Sequence, residues 1–307
     1  MDPQHLQTFA RHVIGSNLRR ITASKSSIES FTTPAGDPGL FGPSSMAWRV
    51  HAHFTSMMVG GLSSLMVQAL HPRALAAVWD HSDFRSNLKD RLGATAYFVA
   101  ATTYGSQDMA MRAIERVNAI HAKVKGVDLN GQAYVANEEV LIRWVHLVEV
   151  VSFVDAYQAL SGQPLTPEQV DQYIQEMTLV GHHLGAKELP TTYRATQHAL
   201  TEFNDQLAYN ERTRLVVQAI RAYPSEIWDQ ALIQLILKSA EHNLPAWASG
   251  MLGITQTCDL EVHLTRAALR LLSAPIQWAL DQEGVAAVAR QRVMPAHTHA
   301  HEHAHSV

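Results

Sequence analysis

Apolar residues recur at helical spacing along almost the whole chain, and that periodicity most constrains its fold. In segment 106–126, Ala110, Ala113, Ile114, Val117, His121 and Val124 occupy one helix face, with Ser106 as a cap and Gly126 as a stop. Thr166-Pro167-Glu168-Gln169 joins an N-cap, a proline in the first helical position and a capping-box glutamine. Gly42-Pro43-Ser44-Ser45 announces a helix over 46–70, Pro72 opens a short one ending near 81, and Gly105 closes another over 90–104. Further helices are predicted over 137–160, 191–209, 226–241, 259–272 and 275–290. Period-two alternation is absent, and the one strand candidate, 132–135, reads as loop. The expectation is an all-α protein. A single large helical domain spans 41–294, preceded by an N-terminal helical arm over 1–40 and followed by a disordered His-rich tail over 295–307.

Composition removes several function classes. The 307 residues carry a formal net charge of −4, so the chain as a whole offers no basic footprint for nucleic acid. Charged and polar residues at the start, Asp2, His5, Arg11 and Arg19, leave no apolar core for a signal peptide. The longest uncharged stretch, 54–70, is diluted by glycine, serine and glutamine and falls short of the roughly 20 apolar residues a membrane span requires. A cytoplasmic protein without an integral membrane segment, able to form homo-oligomers, is the resulting expectation.

The single cysteine, Cys258, leaves no intrachain disulfide, iron–sulfur cluster, cysteine-rich zinc site or covalent haem attachment. Any haem would be non-covalent and held by histidine, of which there are 18. Five of these alternate with small or acidic residues in the tail, from His297 to His305, a pattern that binds transition metals weakly when extended.

Three groups of polar residues fall on otherwise apolar faces. His121 either bonds a carbonyl or carboxylate, as buried histidines commonly do, or ligates a metal. Arg91, Thr95, Phe98 and Thr102 share one helix face, on which Arg91 can hold a haem propionate while Phe98 packs on the macrocycle. The bland alternatives are an ion pair of Arg91 with Asp90 or Asp83 and a back-bond from Thr95 to the preceding turn. Arg143, His146 and Glu149 occupy a sector of about 120° on the 137–160 helix, as an ion-pair network or as part of a site. His146 and Glu149 are the acid–base candidates. His71, before Pro72, either caps a helix or faces the pocket as a distal residue.

Several ordered motifs resemble the MpaB-like oxygenase family, to which the rubber oxygenases are distantly related. They are Gly61-Leu-x4-Val67-Gln-Ala-Leu-His-Pro72, His81-Ser-x-Phe84, Arg91-Leu-x2-Thr95-x-Tyr97, Val117-x3-His121-x2-Val124-x-Gly126 and Trp144-Val-His146. The resemblance implies globin-like packing of many helices around a buried cofactor pocket that holds non-covalent haem b. It also implies His121 as the axial iron ligand, with Arg91 and Thr95 as signature residues beside the haem. Dioxygen and a small apolar, terpenoid-like substrate are the implied reactants. Alternatives are a haem sensor or storage protein, and a helical binding scaffold without haem. Where rubber oxygenases carry a lysine directly before the signature threonine this chain has Ala94, and the stretch matching their catalytic glutamate, 75–78, is apolar. Both departures argue against rubber cleavage.

Overall fold

The computed structural model describes residues 28–82, 87–223, 230–255 and 257–294; the His-rich tail lies outside them. The described chain is helical apart from one short hairpin. The helices in order are α1 (Met46–His51), α2 (Phe54–Gln68), α3 (Pro72–His81), α4 (Leu88–Tyr104) and α5 (Gln107–His121). Strands β1 (Lys125–Val127) and β2 (Ala133–Val135) follow, then α6 (Glu139–Leu160), α7 (Pro167–Leu184), α8 (Tyr193–Thr201) and α9 (Glu211–Arg221). The chain continues through α10 (Gln230–His242), α11 (Ala246–Met251), α12 (Asp259–Glu283) and α13 (Val285–Val293).

The capping signals act as the sequence implies. Thr166 Oγ1 accepts from Gln169 N at 3.3 Å, Gln169 Oε1 accepts from Thr166 N at 3.0 Å, and Gly105 closes α4 with its N–H on Ala101 O at 3.0 Å. Several elements differ from expectation, among them the 191–209 helix, which ends at Thr201 and is followed by a 3₁₀ turn. The 46–70 segment breaks after His51, because His53 Nδ1 accepts from Ser56 N at 3.2 Å and starts α2 afresh. The 132–135 loop pairs with 125–127 as an antiparallel hairpin, each strand too short to display alternation. The two helices expected around Pro275 are one, α12. The proline's missing N–H would have bonded Leu271, whose residue is 77% exposed, so water can take that carbonyl. Of the expected N-terminal arm, the described part begins as a short 3₁₀ turn (Ile28–Thr32) whose Phe31 packs with Trp48, Tyr104 and Ala289. Arg292 ties this segment down, donating to the carbonyls of Phe31, Asp37 and Gly105.

At the centre, α2 lies along α6, which is buried on most of its surface. Gly60 makes that approach possible: a Cβ there would lie 2.8 Å from Ser152 O and 2.9 Å from Phe153 Cα. The main core continues through Met66, Leu70, Trp144 and Leu147 to Ile220 and Leu237 on α9 and α10. No helix among the described residues is long and apolar enough to cross a membrane.

Candidate active site

A cavity enclosing about 940 Å³ of non-protein space, its mouth included, opens between α3, α4, α5, α6 and α7. Its walls are mostly aliphatic: Ala74, Ala77 and Val78 from α3, Leu141 and Val145 from α6, and Val180 from α7. The polar groups converge on this apolar lining from separate helices. Arg91 and Phe98, seven residues apart and thus on one face of α4, supply a cation and an aromatic ring. His121 comes from α5, and His146 and Glu149 from α6. His51, at the end of α1, Gln68, at the end of α2, and Thr102, on the face of Arg91 and Phe98, complete the polar set.

His121 is the last residue of α5, a turn earlier than the apolar stripe suggests, because the chain enters β1 at Lys125. Its Nδ1 is shut off from solvent and has no hydrogen-bond partner. Burial lowers its pKa, and the nearby Arg91 charge lowers it further, so the ring is neutral at pH 7. Arg91 itself makes no ion pair with any described residue. Asp90 instead accepts from Asn87 Nδ2 at 2.7 Å, and Asp83 lies outside the described residues. Burial lowers the pKa of this half-buried cation.

The remaining titratable groups are kept near neutrality by burial. The pKa of His146 falls to about 4, through burial and then the proximity of His182. The His146 ring fits because α7 carries Gly181 opposite it: a Cβ there would stand 2.9 Å from Nε2. Glu149 is pushed up to about 7 by burial. His51, lowered to about 3 by burial, pairs through Nδ1 with Thr103 Oγ1 at 2.7 Å and through Nε2 with the Tyr173 hydroxyl at 3.0 Å. The cavity therefore presents neutral imidazoles, a carboxyl close to half-protonated at pH 7 and a guanidinium with no ion pair among the described residues.

Three expected residues stand elsewhere. Thr95 is exposed and back-bonds Arg91 O at 3.3 Å, the local alternative for a threonine within a helix. His71 is buried but caps α3, Nδ1 facing Ala74 N at 3.5 Å, and packs on Trp144 and Phe203 outside the cavity. Arg143 leaves its helix neighbours to pair with Glu202 at 2.9 Å, so the 143/146/149 group splits between a surface ion pair and the cavity. His51 escaped sequence reasoning because its partners, Thr103 and Tyr173, lie 52 and 122 residues away. No local spacing could reveal it.

The Glu149 carboxyl makes a testable contribution to stability. It keeps its proton up to about pH 7 when folded, against an ordinary value of 4.5 when unfolded. That contribution is fully present below about pH 4.5 and is lost as pH rises through about 7. Buried histidines act in the opposite sense, so the difference between proteins is the readout. Glu149→Gln is expected to gain about 3 kcal/mol relative to wild type between pH 4.5 and 7.5. Chemical denaturation across that window checks it; parallel curves would mean the carboxyl is well solvated.

A family model described as ER-bound oxygenase mpaB/B′/rubber oxygenase, catalytic domain, matches residues 48–274. Among solved structures, latex clearing protein in its closed state is similar in fold, with a TM-score of 0.52 and 15% sequence identity over 81% of this chain and 74% of that chain. No curated protein matches the chain.

Proposed function

The chain belongs to the family of mpaB/B′ and rubber oxygenase catalytic domains, and from that premise we propose that it is a haem-dependent oxygenase acting on a small apolar substrate. The observation that carries the reading is His121: a neutral imidazole on the cavity wall with a buried, unpartnered nitrogen. A metal requires its imidazole ligand in that protonation state. Among the described residues no three His, Cys, Asp or Glu side chains come together to hold a metal ion. A metal at His121 would therefore take most of its ligands from a macrocycle, as haem iron does.

The other residues fit the same group. Arg91, a half-buried cation with no carboxylate partner among the described residues, suits a haem propionate, and Phe98 offers a ring to the porphyrin face. Thr95, exposed beside Arg91, would contact such a group only at the cavity's edge. His71, capping α3, would not reach it. Bound haem b supplies the activation of dioxygen. The chain's own part is to orient and to exclude water. The aliphatic walls select an apolar, terpenoid-like substrate, and an apolar lining strengthens each polar contact inside.

Glu149 is the group placed to hold or release a proton near neutral pH, whereas His146, with its pKa near 4, is a neutral hydrogen-bonding partner. Ala94 is exposed, so the position preceding the signature threonine provides no cavity-facing group here, and the α3 wall is formed by Ala74, Ala77 and Val78. Polyisoprene is accordingly not the substrate we propose. The test is turnover of a panel of small terpenoids by haem-loaded protein under ¹⁸O₂. Incorporation of label into product is expected. Haem binding without incorporation across the panel would leave a sensor or storage protein and overturn the oxygenase reading.

A further inference from the structure

Of the eleven large apolar side chains left exposed among the described residues, five sit on one helix, α12. Leu260, Leu264, Ala267, Leu271, Ala274 and Trp278 follow one another at alternating steps of four and three residues, which keeps them on a single face. The three leucines are 61–77% exposed, Trp278 is 41% exposed, and both alanines are open to solvent. The opposite face carries the buried residues Thr265, Leu269, Ser273 and Ala279. The stripe runs for about 27 Å, at 1.5 Å per residue. A seam of this spacing is what a second helix packs against.

The C-terminal end of α12 lacks positive charge. Its last turn holds Asp281 and Glu283 and no basic residue, although the helix dipole favours cations there. Asp281 Oδ1 accepts from Gln277 Nε2 at 2.7 Å, and neither carboxylate makes an ion pair among the described residues. After Gly284 alone the chain enters α13, which is only about 13 Å long. The 3₁₀ turn Ile28–Thr32 packs on α13, with Phe31 against Ala289. The described chain thus begins beside the acidic end of α12.

Residues 1–27 lie outside the described residues, and their sequence carries the complement of both features. Leu6, Ala10, Val13, Ile14, Leu18 and Ile21 fall on one face at helical spacing, over about 22 Å. Arg11, Arg19 and Arg20 fall off that face, and with Lys25 they stand against a single acid, Asp2. The six residues 22–27 can bridge up to about 20 Å, enough to bring such a helix from Ile28 onto α12. We propose that residues 6–21 are the second helix, lying along the α12 stripe in the same direction, with Arg19, Arg20 and Lys25 beside Asp281 and Glu283. Charge disfavours other occupants. A second copy would bring these acids against the same acids of its partner, or, with antiparallel helices, towards Asp259 and Glu261. An anionic lipid surface would meet the same carboxylates. The inference stands apart from any haem chemistry.

Thiol reactivity of the full-length chain tests it. In a Cys258→Ser background, Ala274→Cys puts the chain's one thiol on the stripe, at an exposed position that tolerates the change. At low protein concentration that thiol is expected to react with a water-soluble aromatic disulfide at least about tenfold more slowly than in a chain also carrying Ile14→Asp and Leu18→Asp, which remove two apolar contacts. Reversing charge with Arg19→Glu and Lys25→Glu is expected to speed the reaction by about threefold or more. All four substituted positions lie outside the described core, so each chain keeps its cooperative melt. Unchanged reactivity in either variant would overturn the proposal. So would protection that appears only as protein concentration rises, the mark of a second copy, or only on adding phosphatidylserine vesicles, the mark of a lipid surface.

Discussion

In the haem-loaded protein, His121→Ala is expected to cut substrate-dependent ¹⁸O incorporation by more than about 100-fold, the upper end of what losing a metal ligand's supporting partner alone costs. The same substitution is expected to leave the haem-free protein no less stable than wild type. The reason lies in the unsatisfied state of the ring: Nδ1 is buried without a partner, and burial together with Arg91 opposes its protonation. A histidine kept for packing would behave in the opposite way, because removing a bonded core imidazole leaves both a cavity and a stranded partner. Thermal melts of the haem-free proteins, beside the labelling assay, separate the two roles. A drop in melting temperature with turnover unchanged would place His121 in the core and not in the chemistry.

Two adjacent glycines on α2 are expected to respond in opposite directions to the same added methyl. At Gly60 a Cβ meets backbone atoms of α6 at 2.8–2.9 Å, and neither rigid helix can yield locally. Gly60→Ala is therefore expected to cost about 2–3 kcal/mol, the upper part of the overpacking range. For a domain of this size that is a melting temperature lower by roughly 4–8 °C. At Gly61 the nearest atom is Phe153 Cε1 at 3.7 Å, an ordinary contact. Gly61→Ala is expected to be neutral or to stabilise by up to about 1 kcal/mol, through helix propensity alone. Equal effects at both positions would contradict the close α2–α6 approach on which the cavity geometry depends.

What could be read from the chain alone follows the range over which each signal acts. Helix starts are local, and the Thr166 capping box and the glycine stop at Gly105 are visible within a few residues. Facing residues on long helices are nearly as plain: Arg91 with Phe98, and His146 with Glu149, reach one cavity because 3.6-residue periodicity places them on one side. Where helix geometry competes with side-chain chemistry, sequence reasoning falters. Thr95 shares the face of Arg91 but spends its hydroxyl on the preceding turn. Arg143 shares the face of His146 but finds Glu202, 59 residues on. His53 became a helix cap, a role in which imidazole replaces the usual Ser, Thr, Asp or Asn and which composition does not flag; at His71 the following Pro72 had kept the cap reading open. The Thr103–His51–Tyr173 arrangement depends wholly on tertiary packing and had no local trace.

The family match extends over most of the chain and the identity to the similar solved structure is 15%, so oxygenase membership rests on the family match and the proposed residue roles rest on the cavity. The cavity supplies the missing link between the two. It places a neutral, unsatisfied imidazole and a guanidinium with no ion pair among the described residues on one largely apolar lining. Titrating wild-type and His121→Ala protein with hemin, followed by absorption in the Soret region, tests that link most directly. A saturable, one-to-one Soret band in the wild type that is shifted and at least tenfold weaker in affinity in the variant is the predicted result. A wild-type protein that gains no band, or a band that His121→Ala leaves unchanged, would contradict it.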